Sequence, residues 1–409
     1  MGRVMSVIVY GARVRQARVL RRMTSASVLS EMGWKGARQT RLEQSEVTEM
    51  AEEDFERLVS VLGFPKQFFT APPGSRVSAS DLLFRAPRST TLAEKEHLAQ
   101  FSAVVGDYLD SLDGQHQLPQ VRLPARVSRA GGIPLAAAHA REALGMAADQ
   151  PISYLTHELE RAGVVVVVRA DRTPAGEQWP QDRADTLPDR HLGYSCWTGS
   201  FSDRPLIVLR KLDSWERVRW TLAHELAHLC LHNGEMTDGM EEEANRFACE
   251  FLAPHEVIAE QLPAHLTLHS LLDIKLQWGI SIGALVMHLH ANGLVDEQRF
   301  QMLRRQLYTR KNPATGTTWG RMEPGWEERE PERPRLLSRW TDRSYGTAHP
   351  GMLASMGLML PRDVLEEMLL EQRQAPSPAI VAQAAARATV PARPASVIDF
   401  AQARAAKRA

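Results

Sequence analysis

Two histidines four residues apart, His224 and His228, with Glu225 between them, constrain this chain more than any other feature. On a helix, residues four apart sit one above the other, so the pair offers two imidazoles to one point in space. Leu222, Leu226 and Leu229 form an apolar face on the other side. Glu225 follows the first imidazole, where its carboxylate can reach a metal-bound water without having to bind the metal. The pattern demands a helix, a cation and a further ligand from a second element.

Glu241-Glu242-Glu243-Ala244-Asn245 supplies that element. A helix over Glu241–Leu252 has Ala244, Phe247, Ala248 and Phe251 as packing positions. Glu241 and Asn245 share a face, one turn apart, while Glu243 points roughly 200° away from Glu241. Glu241 is therefore the favoured third ligand and Glu243 the alternative. Asn245 is placed to accept the ring N–H of a ligating histidine, a contact that fixes its tautomer. His232, one turn beyond His228, is expected in a structural or supporting role. His191 and Tyr194 are candidates for stabilising a developing oxyanion. Leu206–Leu209 reads either as the edge that pairs with an extended substrate or as an ordinary core strand.

The chain has 409 residues, so two or three domains are expected. Lys+Arg and Asp+Glu balance at 49 each, and net charge names no partner. Between Met1 and Arg41 there are nine Lys/Arg against one acid, Glu31, and from Glu43 to Glu56 the sign reverses. A local basic patch of this kind fits nucleic-acid contact. The three cysteines, Cys196, Cys230 and Cys249, form no CxxC pattern and point to a reducing cytoplasm. The apolar start, Met1 to Tyr10, is short and runs into Arg13 and Arg15, so it is not read as a signal peptide. No apolar run is long enough to span a membrane.

Along residues 10–73 the pattern predicts four helices: one through Val14 to Leu20, then Ser25 to Met32, Lys35 to Gln44 and Glu52 to Leu62. Thr24 is the second helix's cap, and Gly33-Trp34 is the turn after it. A helical spacer follows around Leu92–Leu112, then a helix pair within 136–162. Val164–Val168 reads as a buried strand. Gly193–Trp197 and Leu206–Leu209 are the next strand candidates, around a turn at Ser202-Asp203-Arg204-Pro205. Residues 264–307 read as two helices broken at Gly279-Ile280-Ser281. From Gln374 the composition turns to Ala, Pro, Arg and Ser and predicts a disordered tail.

The segments "RVRQARVLRRMT", "RQTRLEQ" and "LVSVLGFPKQFF" make residues 11–69 resemble the helix-turn-helix domain of phage-repressor (XRE-like) regulators. One departure is Ser25, where that family commonly has Gln. The resemblance implies that the third helix lies in the major groove of operator DNA, with Arg38, Gln39 and Arg41 as the reachable side chains. It also implies a homodimer. A helical protein-docking domain is the other use of this fold.

"RVRWTLAHELAHLCLH", "EEEANRFACEFLAP" and "LLDIKLQWGISIGALVMHLHANGLV" make residues 135–310 resemble the ImmA/IrrE metallopeptidases. That resemblance implies a zincin-type fold, a cytoplasmic location, and cleavage of helix-turn-helix repressors in stress responses. Zinc is usual in the family, and manganese has been proposed.

The resulting fold expectation is α+β, mainly helical. An all-α helix-turn-helix domain at 1–73 precedes a helical linker at 74–130. A zincin-like metallopeptidase core with a small sheet follows at 131–262, then a helical lobe with extension at 263–372 and the tail at 373–409. The expected function is a zinc endopeptidase fused to a DNA-binding domain, acting as a transcriptional regulator by cleaving a repressor. The competing expectation is a transcription factor or antitoxin whose metallopeptidase-like domain senses metal or docks without turnover.

Overall fold

The computed structural model describes residues 6–83, 91–123, 131–169, 193–232, 239–313, 315–325 and 329–373. The expected tail and most of the polar loop before Gly193 lie outside these residues. The fold is mainly helical with two small sheets, as an α+β chain.

The chain opens with β1 (Ser6–Tyr10), then α1 (Gly11–Leu20), α2 (Ser25–Glu31), α3 (Arg38–Gln44) and β2 (Val47–Ala51), followed by α4 (Glu52–Leu62) and α5 (Lys66–Thr70). Within the apolar start, Ser6–Tyr10 form a strand, and β1 pairs antiparallel with β2, from Ser6 opposite Ala51 to Tyr10 opposite Val47, so the N-terminal unit is not all-α as expected. Thr24 caps α2 by accepting from the Ser27 N–H at 3.0 Å, the contact expected of a threonine there. The third helix starts at Arg38, later than its pattern suggested. Gly36 just before it sits at φ 63°, a left-handed turn that glycine adopts without strain.

α6 (Leu92–Gln115), which covers the expected spacer, is the longest helix among the described residues and packs into the first core. Phe101, Val104, Val105, Leu109 and Leu112 are fully buried, and polar Ser102 is buried with them. Then come α7 (Gly132–Ala143), α8 (Leu155–Arg161), β3 (Val165–Val168), β4 (Gly193–Thr198) and β5 (Arg204–Leu209). The sheet order is β3-β5-β4, with β3 parallel and β4 antiparallel to β5. The expectation that Leu206–Leu209 could be a substrate-pairing edge is therefore corrected: that segment is the central strand, and β3 and β4 are the outer ones.

Alternation along these strands sorts their side chains between two cores. Val165, Val167, Tyr194, Cys196, Leu206 and Val208 join one core. Val166, Val168, Ile207 and Leu209 join the other, with Trp197 against it. A sheet covered on both faces explains the unbroken valine run of β3. On the second face lie α7, α9 (Trp215–Leu231) and α10 (Met240–Leu252). A third core gathers α11 (His255–Gln261), α12 (Leu271–Trp278), α13 (Ile282–Ala291) and α14 (Glu297–Thr309). The break at Gly279 is where it was expected: Gly279 closes α12 at φ 69°, and Ser281 caps α13. This lobe is bolted to α9 by buried Lys275, which lies 3.0 Å from both Glu216 and Glu323.

The chain then returns to the first core. α15 (Leu336–Tyr345), α16 (Pro350–Ser355) and α17 (Arg362–Arg373) bring Leu337, Leu353, Val364, Leu365 and Met368 against the sheet and α6. That same core holds Val14, Ala17, Phe55, Leu58 and Phe69 from the N-terminal elements. Both sequence extremes of the described fold thus close on α6.

Candidate metal centre

The site is built where α9 and α10 cross. Ser214 caps α9, its hydroxyl accepting from the Arg217 N–H at 3.3 Å. Leu222, Leu226 and Leu229 are fully buried in the second core, which turns the His224–His228 face toward α10. α10 starts after Gly239, at φ 91°, with Glu241, Glu242 and Glu243 in its first turn, where the helix dipole favours carboxylates. Ala244, Phe247, Ala248 and Phe251 are fully buried beneath it.

Three of the expected residues meet. His224 Nε2 and His228 Nε2 are 3.1 Å apart, and the Glu241 carboxylate oxygens lie 3.5 Å from the first and 3.4 Å from the second. A tetrahedral metal with bonds of about 2.0–2.2 Å holds its ligand atoms about 3.3–3.6 Å apart, and the three groups converge to near that spacing, a different Glu241 oxygen facing each imidazole. Buried Glu241 Oε1 has no hydrogen-bond donor, an orphaned acceptor that a cation would satisfy. The donor set, two imidazoles and one carboxylate, suits a divalent metal with one position left open.

Glu243 stands elsewhere. It meets His232, whose Nε2 lies 3.1 Å from Glu243 Oε2, and His232 Nδ1 lies 2.8 Å from His228 Nδ1. The contacts chain together in one consistent proton assignment. His228 donates Nδ1–H to His232, His232 donates Nε2–H to Glu243, and His228 Nε2 keeps its lone pair toward the triad. His232 thus has the supporting place expected of it, and Glu243 is an outer partner of the histidine ladder. Asn245 is exposed and within interaction range of His224, although His224 Nδ1 lacks a well-aligned partner. Trp220 covers His224, ring centroids 5.0 Å apart.

Glu225 is fully enclosed, and Ser195 donates its hydroxyl to Glu225 Oε2 at 2.8 Å. Burial, the largest influence, pushes the Glu225 pKa above the ordinary carboxylate range, and Glu241 adds to the rise. His228, His224 and the Ser195 hydrogen bond pull it back. Burial would also raise Glu241, but the His224 and His228 rings facing it outweigh that and hold the carboxyl well below its ordinary range. For His224, burial works against the charged ring, yet Glu241, Glu225 and Asn245 hold its pKa above the usual histidine value. The two carboxyls are pushed in opposite directions, the separation expected between a base and a ligand.

The sequence-based oxyanion candidates fare differently. His191 lies outside the described residues. Tyr194 is on the wrong face of β4: its hydroxyl donates to Leu98 O at 3.3 Å and lies 3.1 Å from Ser102 Oγ, inside the first core. Strand alternation puts Ser195, not Tyr194, toward Glu225. Ser195 was not singled out in the sequence, where only the period of β4 could have marked it.

On the N-terminal unit, Arg38 and Arg41 of α3 are exposed, but Gln39 is not available for a base contact. It is buried, and its Nε2 donates to Glu43 Oε1 at 2.5 Å. The basic patch is also largely spent internally. Arg13, Arg15, Arg18, Arg21, Arg22 and Arg38 pair with Asp107, Glu96, Glu43, Asp363, Glu94 and Asp54. Lys35 and Arg41 remain exposed, and Arg3 lies outside the described residues.

Residues 165–290 match the family model of the IrrE N-terminal-like domain, Peptidase_M78. The match spans β3 to α13 and includes every residue of the triad and its ladder. It supports a metallopeptidase-like function for this part of the chain, and with it a divalent metal, typically zinc. No curated protein matches the chain. Among the described residues no helix is long and apolar enough to cross a membrane.

Proposed function

We propose that the chain is a metal-dependent endopeptidase. The observation that carries this reading is the convergence of His224, His228 and Glu241 on one point beside a buried, separately held Glu225. His224, His228 and Glu241 would hold the zinc, which would supply a Lewis acid able to lower the pKa of water toward about 7. The chain's own residues do the rest. Ser195 fixes one Glu225 oxygen so that the carboxylate cannot swing away. Glu225 takes the proton of the attacking water and later delivers it to the leaving amine. The His232–Glu243 pair keeps His228 in the tautomer that points Nε2 inward.

In this reading the substrate is a helix-turn-helix repressor-type protein of the same cytoplasm, and the N-terminal unit holds the peptidase near operator DNA as part of a transcriptional stress response. The surface offered to DNA is α3, through exposed Arg38 and Arg41. The competing reading, a metal sensor without turnover, predicts the same metal binding and no cleavage.

The test is co-expression with helix-turn-helix proteins encoded beside it, wild type against Glu225→Gln. The wild type should yield a truncated partner. The variant should keep its metal, assayed by elemental analysis, and lose cleavage by at least about 100-fold. Equal cleavage by both chains would sink the mechanism. Metal binding with no cleavage by either chain would favour the sensor.

A further inference from the structure

The outer edge of β4, one residue from Glu225, is taken by a stretch of the same chain. Ser195, whose hydroxyl holds Glu225, turns its backbone away from β5, and Leu83 meets it there. Leu83 N–H donates to Ser195 O at 2.8 Å, and Ser195 N–H donates to Leu83 O at 3.3 Å. The pairing is antiparallel. Directly opposed residues of an antiparallel pair project to the same face, so Leu83 stands on the face of Ser195, which is the Glu225 face. Leu83 is 4% exposed, yet among the described residues it belongs to none of the three cores, whereas Leu82 is packed in the first. The leucine is buried without being core.

The stretch is tethered upstream. The Ser75 N–H donates to Asp107 Oδ1 at 2.6 Å, and Ser75 Oγ lies 2.9 Å from Thr198 Oγ1 near the far end of β4. Among the described residues it holds β4 by a single opposed pair, Leu83 with Ser195. An extended peptide that added several ladder bonds to this edge would compete with it directly.

We propose that residues 82–83 occupy, in cis, the strand position of the peptidase's own substrate, with Leu83 in the place of the substrate side chain nearest Glu225. The proposal rests on the peptidase reading above and sharpens it. Substrates enter as extended segments with a bulky aliphatic residue at that place, and they must first displace Leu83.

The test uses the full chain carrying Glu225→Gln, so that binding is read without turnover, and a fluorescein-labelled peptide of residues 75–83 as probe. Leu83→Pro removes the N–H that Ser195 O accepts. It should bind the probe at least about ten-fold more tightly than the unaltered chain, and hydrogen exchange of the Ser195 amide should quicken by a similar factor. Leu83→Asp, which keeps the backbone donor but sets a charge beside Glu225, should move both readouts the same way and covers a Pro variant that does not fold. A probe carrying Asp in place of its last leucine should bind poorly to all of them. Unchanged probe affinity and unchanged exchange in a folded variant would overturn the proposal. Absence of cleavage in the wild type would count against the peptidase reading alone.

Discussion

At the scale of single residues, the triad was written in the sequence because helical period alone brings His224 and His228 together. Glu241 followed from sharing a face with Asn245. The period of β4 sets the face of Ser195 but not its partner, since the contact with Glu225 joins positions 30 apart in the chain. The role of Glu243 was hidden for a related reason: helical wheels say which way a side chain points, not that His232 waits there. The ladder makes a prediction. Replacing His232 with Ala removes the acceptor for His228 Nδ1–H and should lower zinc affinity by about 10–100-fold, with helix content unchanged. Competition with a chromophoric chelator measures it, and wild-type affinity would show that the ladder is idle. Replacing Glu243 with Ala should give a smaller loss in the same direction.

At the scale of elements, β3 to β5 and most helices were legible because their apolar runs are clean, whereas the β1–β2 pair and the order of the strands were not. Nothing local says that β5 sits between β3 and β4; burial of both its faces decides it. The cap on α15 is likewise invisible locally. Glu160 accepts from the backbone N–H of Arg335 at 2.8 Å and of Leu336 at 2.8 Å, closing the start of a helix 175 residues away. Burial pushes the Glu160 pKa up to about 7, against the pull of those two donors. An acid with a folded pKa above its unfolded value binds more protons when folded, so its contribution to stability falls as pH rises from about 4.5 to about 7. Glu160→Gln mimics the protonated form and keeps an acceptor for the helix. It should match the wild type near pH 4.5 and exceed it by on the order of 2–3 kcal/mol at pH 8. Urea unfolding at the two pH values checks this; a gap that does not widen with pH would refute it.

At the scale of the whole molecule, the sequence suggested a basic N-terminal module, but charge counts do not know their partners. Six of the nine basic residues before Glu43 meet carboxylates of this chain, four of them beyond residue 90. Any DNA binding then relies on few phosphate contacts. With Lys35 and Arg41 outside these pairs in each chain, the plot of log affinity against log salt should have a slope of about −2 or shallower. A gel shift across a salt series reads it directly, and a slope twice as steep would mean that the intramolecular pairs open on DNA.

The shared core has a practical consequence for anyone looking for self-processing. α1, α4 and α5 are buried against α6 together with α15 to α17, so the peptide connection between α5 and α6 is not what keeps the two sides together. A chain severed in that stretch would elute from a sizing column as an intact particle, two fragments in one body. Only a denaturing gel would reveal the cut.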